Sequence, residues 1–267
     1  MLKQRILTAL ILAPLALGGV FLLPLTGFSI FIGLIIIMGA WEWANLSGFE
    51  NALPRAMYAI LIGVLCILSS YIPLVPMLMV AGIWWVIVCL LVKAYPRSKV
   101  CLQGRFVRLI MGALTLVPAW FSLYCMKQME DASIQIATVL IIVWSADIGA
   151  YFAGKSFGNT KLLERVSPKK TIEGLVGGLL LAVLLSSVVI LFGNVSFAHG
   201  FSFLLTTIAT VLFSVVGDLW ESVLKRERGL KDSGSLLPGH GGIMDRIDSL
   251  TAAIPIYLLT VFIGKAF

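Results

Sequence analysis

Long apolar runs broken by short polar stretches give the chain its pattern. They fall near residues 6–24, 27–45, 57–73, 75–92, 107–126, 133–152, 174–193, 201–219 and 250–264. Each approaches the ~20 residues that an α-helix needs to cross the hydrocarbon layer. None shows strand alternation, and backbone groups in lipid must bond within their own segment, so every run is predicted helical. The expected fold class is therefore all-α: a polytopic integral membrane protein of about nine transmembrane helices, with its polar site at the cytoplasmic helix ends. The limits of 57–73 and 75–92 carry the weakest punctuation. Lys3 and Arg5 precede the first run, which reaches Pro24 without a small-residue cleavage site and reads as a span. Two regions follow. Residues 1–130 hold about five scaffold helices, and residues 131–267 carry the polar loops 153–173 and 220–249.

Composition strengthens that reading. The chain is 60% hydrophobic and 12% charged, with mean hydropathy +1.02, whereas a soluble domain averages about a quarter charged residues. Cys66, Cys89, Cys101 and Cys125 are scattered without a CxxC pair, which excludes a disulfide framework and a zinc site. Nine spans would put 18 of the 20 Lys and Arg on one face and leave Lys127 and Lys265 on the other. By the positive-inside rule the rich face is cytoplasmic, with the N-terminus on that side. The net charge of +7 is thus mainly a topology signal. It also favours anionic headgroups and phosphorylated solutes; no nucleic-acid partner is expected. Trp41-Glu42-Trp43 marks an interface, with Glu42 at a helix end.

The chemistry gathers between Asp218 and Asp248. Asp245 and Asp248, three apart, share a helix face, and Asp218 ends the preceding apolar run. Clustered carboxylates repel unless a cation neutralises them, and an oxygen-only set suits Mg²⁺ or Mn²⁺. Pairing of the same acids with Lys225, Arg226 and Arg246 is the competing reading, and spacing alone leaves both open. Lys225, Arg226, Arg228 and Lys231 form a local anion site. Pro238-Gly-His-Gly-Gly242 offers backbone N–H groups before a helix start, with His240 as a phosphate or nucleotide contact. A second cluster runs from Asp147 to Lys155 and from Ser167 to Gly174. There Ser167 is expected to cap a helix with Pro168 behind it, and Lys169, Lys170 and Thr171 decorate the first turn as a phosphate cradle. Snorkelling lysines at the interface are the alternative.

Ser222-x-Leu-Lys-Arg-x4-Lys-Asp-x-Gly-x2-Leu-Pro-x-His-Gly-Gly-Ile-x-Asp-Arg-Ile-Asp248 resembles, without departure, the diagnostic motif of bacterial phosphatidate cytidylyltransferases (CDP-diacylglycerol synthases). So many fixed polar positions make a specific match. Asp147, Ala150-Tyr151, Gly154-Lys155 and Ser167-Pro-x-Lys-Thr171 are similar to the same family, while residues 1–130 resemble it mainly in hydropathy. The resemblance implies a step of phospholipid biosynthesis: CTP plus phosphatidic acid gives CDP-diacylglycerol and pyrophosphate. It implies Asp218, Lys225, Asp245 and Asp248 as catalytic residues, with Asp218, Asp245 and Asp248 on Mg²⁺ and a second cation left open. Lys225, Arg226 and Lys231 would hold phosphates, with Lys169 and Arg246 as further candidates. Ser167 and Ser222 would contribute hydrogen bonds, and Asp232 would hold a cation or orient Lys231. Asp147, Lys155, Thr171 and His240 complete the substrate-binding set. The partners implied are CTP, phosphatidic acid and the bilayer, with a homodimer left open. A transporter is the rival from another class, but the polar groups gather at one face without paired repeats. Among other lipid-headgroup enzymes, a CTP-dependent lipid kinase is a nearer rival. The four-aspartate array of CDP-alcohol phosphatidyltransferases is not found. A scaffold without catalysis leaves the density of Asp and Lys unexplained.

Overall fold

The computed structural model describes residues 10, 14–193, 196–237 and 239–266. Lys3, Arg5, most of the first predicted span, Pro238 and the Lys265 side chain lie outside the described residues. Within that span, residues 14–21 are helical. Eight long helices follow: α1 (Leu25–Leu46), α2 (Ala52–Ser69), α3 (Leu74–Lys93), α4 (Arg105–Lys127), α5 (Ala132–Phe157), α6 (Ile172–Phe192), α7 (Phe197–Arg228) and α8 (Met244–Ala266). Among the described residues these eight are long and apolar enough to cross a membrane. Pro24 and Pro73 stand where α1 and α3 begin, positions at which a missing N–H breaks no helical bond.

The helices pack with small residues inward and large apolar ones outward, as expected where lipid solvates leucine as well as the protein interior does. In α6 the buried positions are Gly174, Gly178, Ala182 and Ser186, four apart on one stripe, while Leu180 and Leu184 are exposed. A Cβ at Gly149 of α5 would lie 2.6 Å from the Gly177 carbonyl oxygen of α6, and one at Gly178 would lie 2.5 Å from that of Ala146. The α7–α8 crossing is equally close: a Cβ at Gly217 would sit 2.6 Å from the Asp248 carbonyl oxygen. Larger side chains fill the centre, where Trp43, Trp85, Trp220 and Phe121 are fully buried.

Two departures from the sequence reading matter for the site. First, α7 continues to Arg228 rather than ending at the apolar run, so Ser222, Lys225 and Arg226 belong to a helix and the connecting loop is only 229–243. Second, Ser167 does not cap a helix. Ser167–Thr171 is a strand, β2, paired antiparallel with β1 (Lys161–Leu163), Lys161 opposite Thr171. Strand pairing satisfies that backbone, and α6 starts after Thr171, whose Oγ1 accepts from Gly174 N at 3.1 Å.

The loops at one end of the bundle are tied together. Arg226 donates to the Val166 carbonyl at 3.2 Å and Arg228 to that of Asn45 at 3.2 Å, while the Tyr95 hydroxyl donates to Glu227 at 2.9 Å. With the span alternation, this end holds every Lys and Arg whose side chain is described, except Lys127.

Candidate active site

The end of α7 and the start of α8 are locked by buried charge. Gly229 terminates α7 with φ +71°, its N–H reaching the Arg226 carbonyl and that of Leu230 reaching Lys225, the left-handed cap for which glycine is suited. Asp218, Glu221, Ser222 and Lys225 therefore share one helical face. Lys225 Nζ lies between Glu221 Oε2 at 2.6 Å and Asp245 Oδ1 at 2.7 Å. The other Asp245 oxygen accepts from Ser233 N and Ser233 Oγ, each at 3.0 Å, and from Gly242 N at 2.8 Å. Every hydrogen bond that holds Asp245 thus comes from the protein's own loop and from Lys225. Glu42 reaches across from α1, accepts from Ile243 N and Met244 N at 3.0 and 2.9 Å, and lies 3.0 Å from Ser233 Oγ, whose single proton it shares with Asp245. The expectation that amides of Pro238–Gly242 face a phosphate is therefore corrected at Gly242, and Ile243 and Met244 behave alike. Each donates to a carboxylate of the chain, because a buried helix start must satisfy its free N–H groups.

Two adjoining cavities open beside this lock, and Asp147 and Asp218 line both. The larger, about 400 Å³, has lysines at Lys155, Lys169 and Lys170 and apolar walls from Tyr151, Leu162, Leu175, Val211 and Val215; Thr171 also lines it. The smaller, about 240 Å³, is walled by Trp144, Asp245, Arg246, Asp248 and Ser249 besides the shared acids. Lys170 Nζ sits 2.6 Å from Asp218 Oδ2, both side chains about a third exposed, and Ser222 Oγ lies 3.4 Å from Oδ1. Asp248 is half-buried and accepts from Ser249 N at 2.7 Å. Asp147 has no hydrogen-bond or ion-pair partner among the described residues. Arg246 turns back on its own loop, donating from Nε and Nη2 to the His240 carbonyl at 3.2 and 2.8 Å.

The fold thus brings together Asp147, Lys155, Lys169, Thr171 and Asp218 along the larger cavity, and Asp147, Asp218, Asp245, Arg246 and Asp248 along the smaller. Ser222 is buried beneath Asp218. The others stand apart from the cavity walls. Lys225 is enclosed between two acids, Arg226 fastens the hairpin, Ser167 opens β2, and Lys231 and Asp232 are exposed on the loop. His240 contributes a carbonyl rather than its ring. The sequence reading leaves Glu221, Ser233 and Glu42 out of the site and puts Lys170 in the phosphate cradle without its pairing to Asp218. Adjacent residues of a strand point to opposite faces, so which of Lys169 and Lys170 meets Asp218 depends on the hairpin's docking. An acid inside an apolar run was the available cue for Glu42. The flanking tryptophans make it read as an interface marker, whereas the residue is completely buried.

Among the described residues no three acids, histidines or cysteines converge closely enough to enclose a metal ion by themselves. Mg²⁺ commonly takes one or two protein carboxylates and completes its shell with water and substrate phosphate. Asp218 and Asp248, facing the same small cavity, fit that mode of binding, with Asp147 opposite.

The chain has close relatives among known proteins. Residues 3–263 match the model of the Cytidylyltransferase family. The phosphatidate cytidylyltransferase of Pseudomonas aeruginosa is 48% identical over 259 residues, which cover 96% of each chain. That of Haemophilus influenzae is 37% identical over 280 residues, covering 96% of this chain and 97% of its own. That of Bacillus subtilis is 44% identical over 124 residues, 46% of each chain. The family match spans every helix that builds the two cavities, and the chain belongs to the cytidylyltransferase family as a polytopic membrane nucleotidyltransferase.

Proposed function

We propose that the protein is a phosphatidate cytidylyltransferase that joins CTP to phosphatidic acid at the pair of cavities, releasing pyrophosphate. One observation carries the reading: a lysine-lined, apolar-walled chamber and an aspartate-lined chamber share Asp147 and Asp218. An anionic lipid headgroup suits the first, since lysines meet the phosphate and apolar walls meet the glycerol and acyl ends. The second suits the triphosphate of CTP together with a divalent cation. The basic end of the bundle lies in the cytoplasm on this reading, where both substrates are reached.

A phosphate oxygen of the lipid attacks the α-phosphorus of CTP in line. The new P–O bond forms as the bond to the β-phosphate oxygen breaks, and pyrophosphate departs. The lipid phosphate is itself the nucleophile, so the chain's task is to position and neutralise. Lys170 leaves Asp218 for the lipid phosphate, with Lys155 and Lys169 beside it. Asp218 and Asp248, with Asp147 opposite, would hold Mg²⁺, which supplies charge neutralisation at the transferring phosphoryl group. Asp245, already engaged by four donors, keeps α8 and its loop in place.

The decisive experiment gives purified protein α-labelled CTP and phosphatidic acid in mixed micelles. Transfer of labelled CMP to lipid, lost with EDTA and restored by Mg²⁺, is the expected result. Absence of labelled lipid, with solute flux in liposomes instead, would establish the transporter.

A further inference from the structure

The motif loop is built around a carboxylate that the motif does not contain. Glu42 lies 191 residues before its partner Ser233 and is fully buried. Its Oε1 takes the Ile243 amide, and its Oε2 takes the Met244 amide and the Ser233 hydroxyl. The Ser233 hydroxyl stands equally close to Asp245, at 3.0 Å. Loop glycines leave room for this acid. The three atoms nearest to a Cβ at Gly234 all belong to Glu42, with Cδ at 2.8 Å, and a Cβ at Gly242 would lie 2.6 Å from that same Cδ. A negative group is favourable at a helix N-terminus, and α8 begins at Met244 with Asp245 in its first turn and Asp248 one turn later.

We propose that Glu42 is a positioning residue of the transfer reaction: it fixes the first turn of α8 and thereby where Asp248 stands in the acidic cavity. Neither cavity is lined by Glu42, so it acts through α8 and not on substrate. The inference rests on the proposed reaction for its kinetic readout but not for its structural one.

Glu42→Gln keeps the shape but replaces one acceptor oxygen with an NH₂, so it cannot receive both amides. In Glu42→Gln, kcat should fall by about tenfold or more, as for other partners that orient a reacting group, with KM for CTP little changed. Hydrogen exchange at Ile243 and Met244 should quicken, while α5 and α6 keep wild-type protection. Gly234→Ala should also lower kcat, and combining it with Glu42→Ala should cost less than the sum of the two, because the collision partner is gone. If Glu42→Gln does not fold, Ser233→Ala and Gly234→Ala carry the test by the same exchange and kinetic measurements. A kcat within about twofold of wild type, or strictly additive effects of Gly234→Ala and Glu42→Ala, would overturn the role. An inactive wild type would instead refute the proposed reaction, and the exchange measurement would still decide what Glu42 holds.

Discussion

Asp218 is claimed from two sides. Its carboxylate now pairs with Lys170, yet the cleft position that makes it a metal candidate also puts it within reach of substrate phosphate. An ion pair about a third exposed is worth little by itself, so exchanging the lysine from carboxylate to phosphate costs little. Asp218→Asn and Asp248→Asn should each lower kcat by about 10²-fold or more, the scale of losing one group that neutralises transition-state charge. Folded state can be checked by thermal unfolding in detergent. Near-normal turnover at saturating Mg²⁺ would remove either residue from the metal role. The strand geometry makes a sharper prediction about neighbours: Lys170→Ala should depress kcat/KM for phosphatidic acid more than Lys169→Ala does. Equal losses would mean that charge alone matters there, and the Asp218 pairing is incidental.

The elements that carry these residues are held by contact between backbones. Gly149 and Gly178 bring α5 and α6 together, which places Asp147 on one wall of the chamber opposite α7. Gly178→Leu should destabilise the protein by about 1–3 kcal/mol, the usual cost of overpacking, and should reduce activity as the chamber deforms. Leu180→Ala, two residues away but exposed, should leave both properties near wild type. A scan of thermal midpoints decides between them, and equal midpoints would contradict the assigned faces. The helix start deserves the same scrutiny: Thr171→Val removes a cap worth about 1 kcal/mol and should lower the midpoint modestly. The isosteric change leaves Lys170 in its strand, so any larger fall in activity would show that the threonine hydroxyl serves substrate.

Across the whole molecule, charge is segregated. One end gathers the cations, the motif loop, the hairpin and both cavities. Cys101, exposed in the short helical turn Arg97–Leu102, reports on that end. A membrane-impermeant maleimide should label it in inside-out vesicles and not in intact spheroplasts, with Cys101→Ser as the control. Labelling from the outside would invert the orientation inferred from charge. The same end also unites distant parts of the chain, since Arg228 and Glu227 of α7 bond to Asn45 and Tyr95. The acid from α1 beneath the loop is therefore one of several ties between early helices and the motif.

Hydropathy alone determined the all-helical membrane architecture, because a backbone in lipid has few ways to satisfy its own polar groups. The density of fixed polar positions from Ser222 to Asp248 identified the family and the reaction it implies. Local pattern could not find where α7 stops, since Lys and Arg continue a helix as readily as leucine does; nor could it see that residues 167–171 pair as a strand. Only the tertiary structure separated the acids. Asp147, Asp218 and Asp248 face the cavities, Asp218 paired there with Lys170, while Asp245 reaches the smaller cavity but is held, like Glu221 and Glu42, by lysine, amides or a hydroxyl. Those assignments depend on contacts across up to two hundred positions, and spacing along a chain carries no information about which distant donor a buried carboxylate will meet.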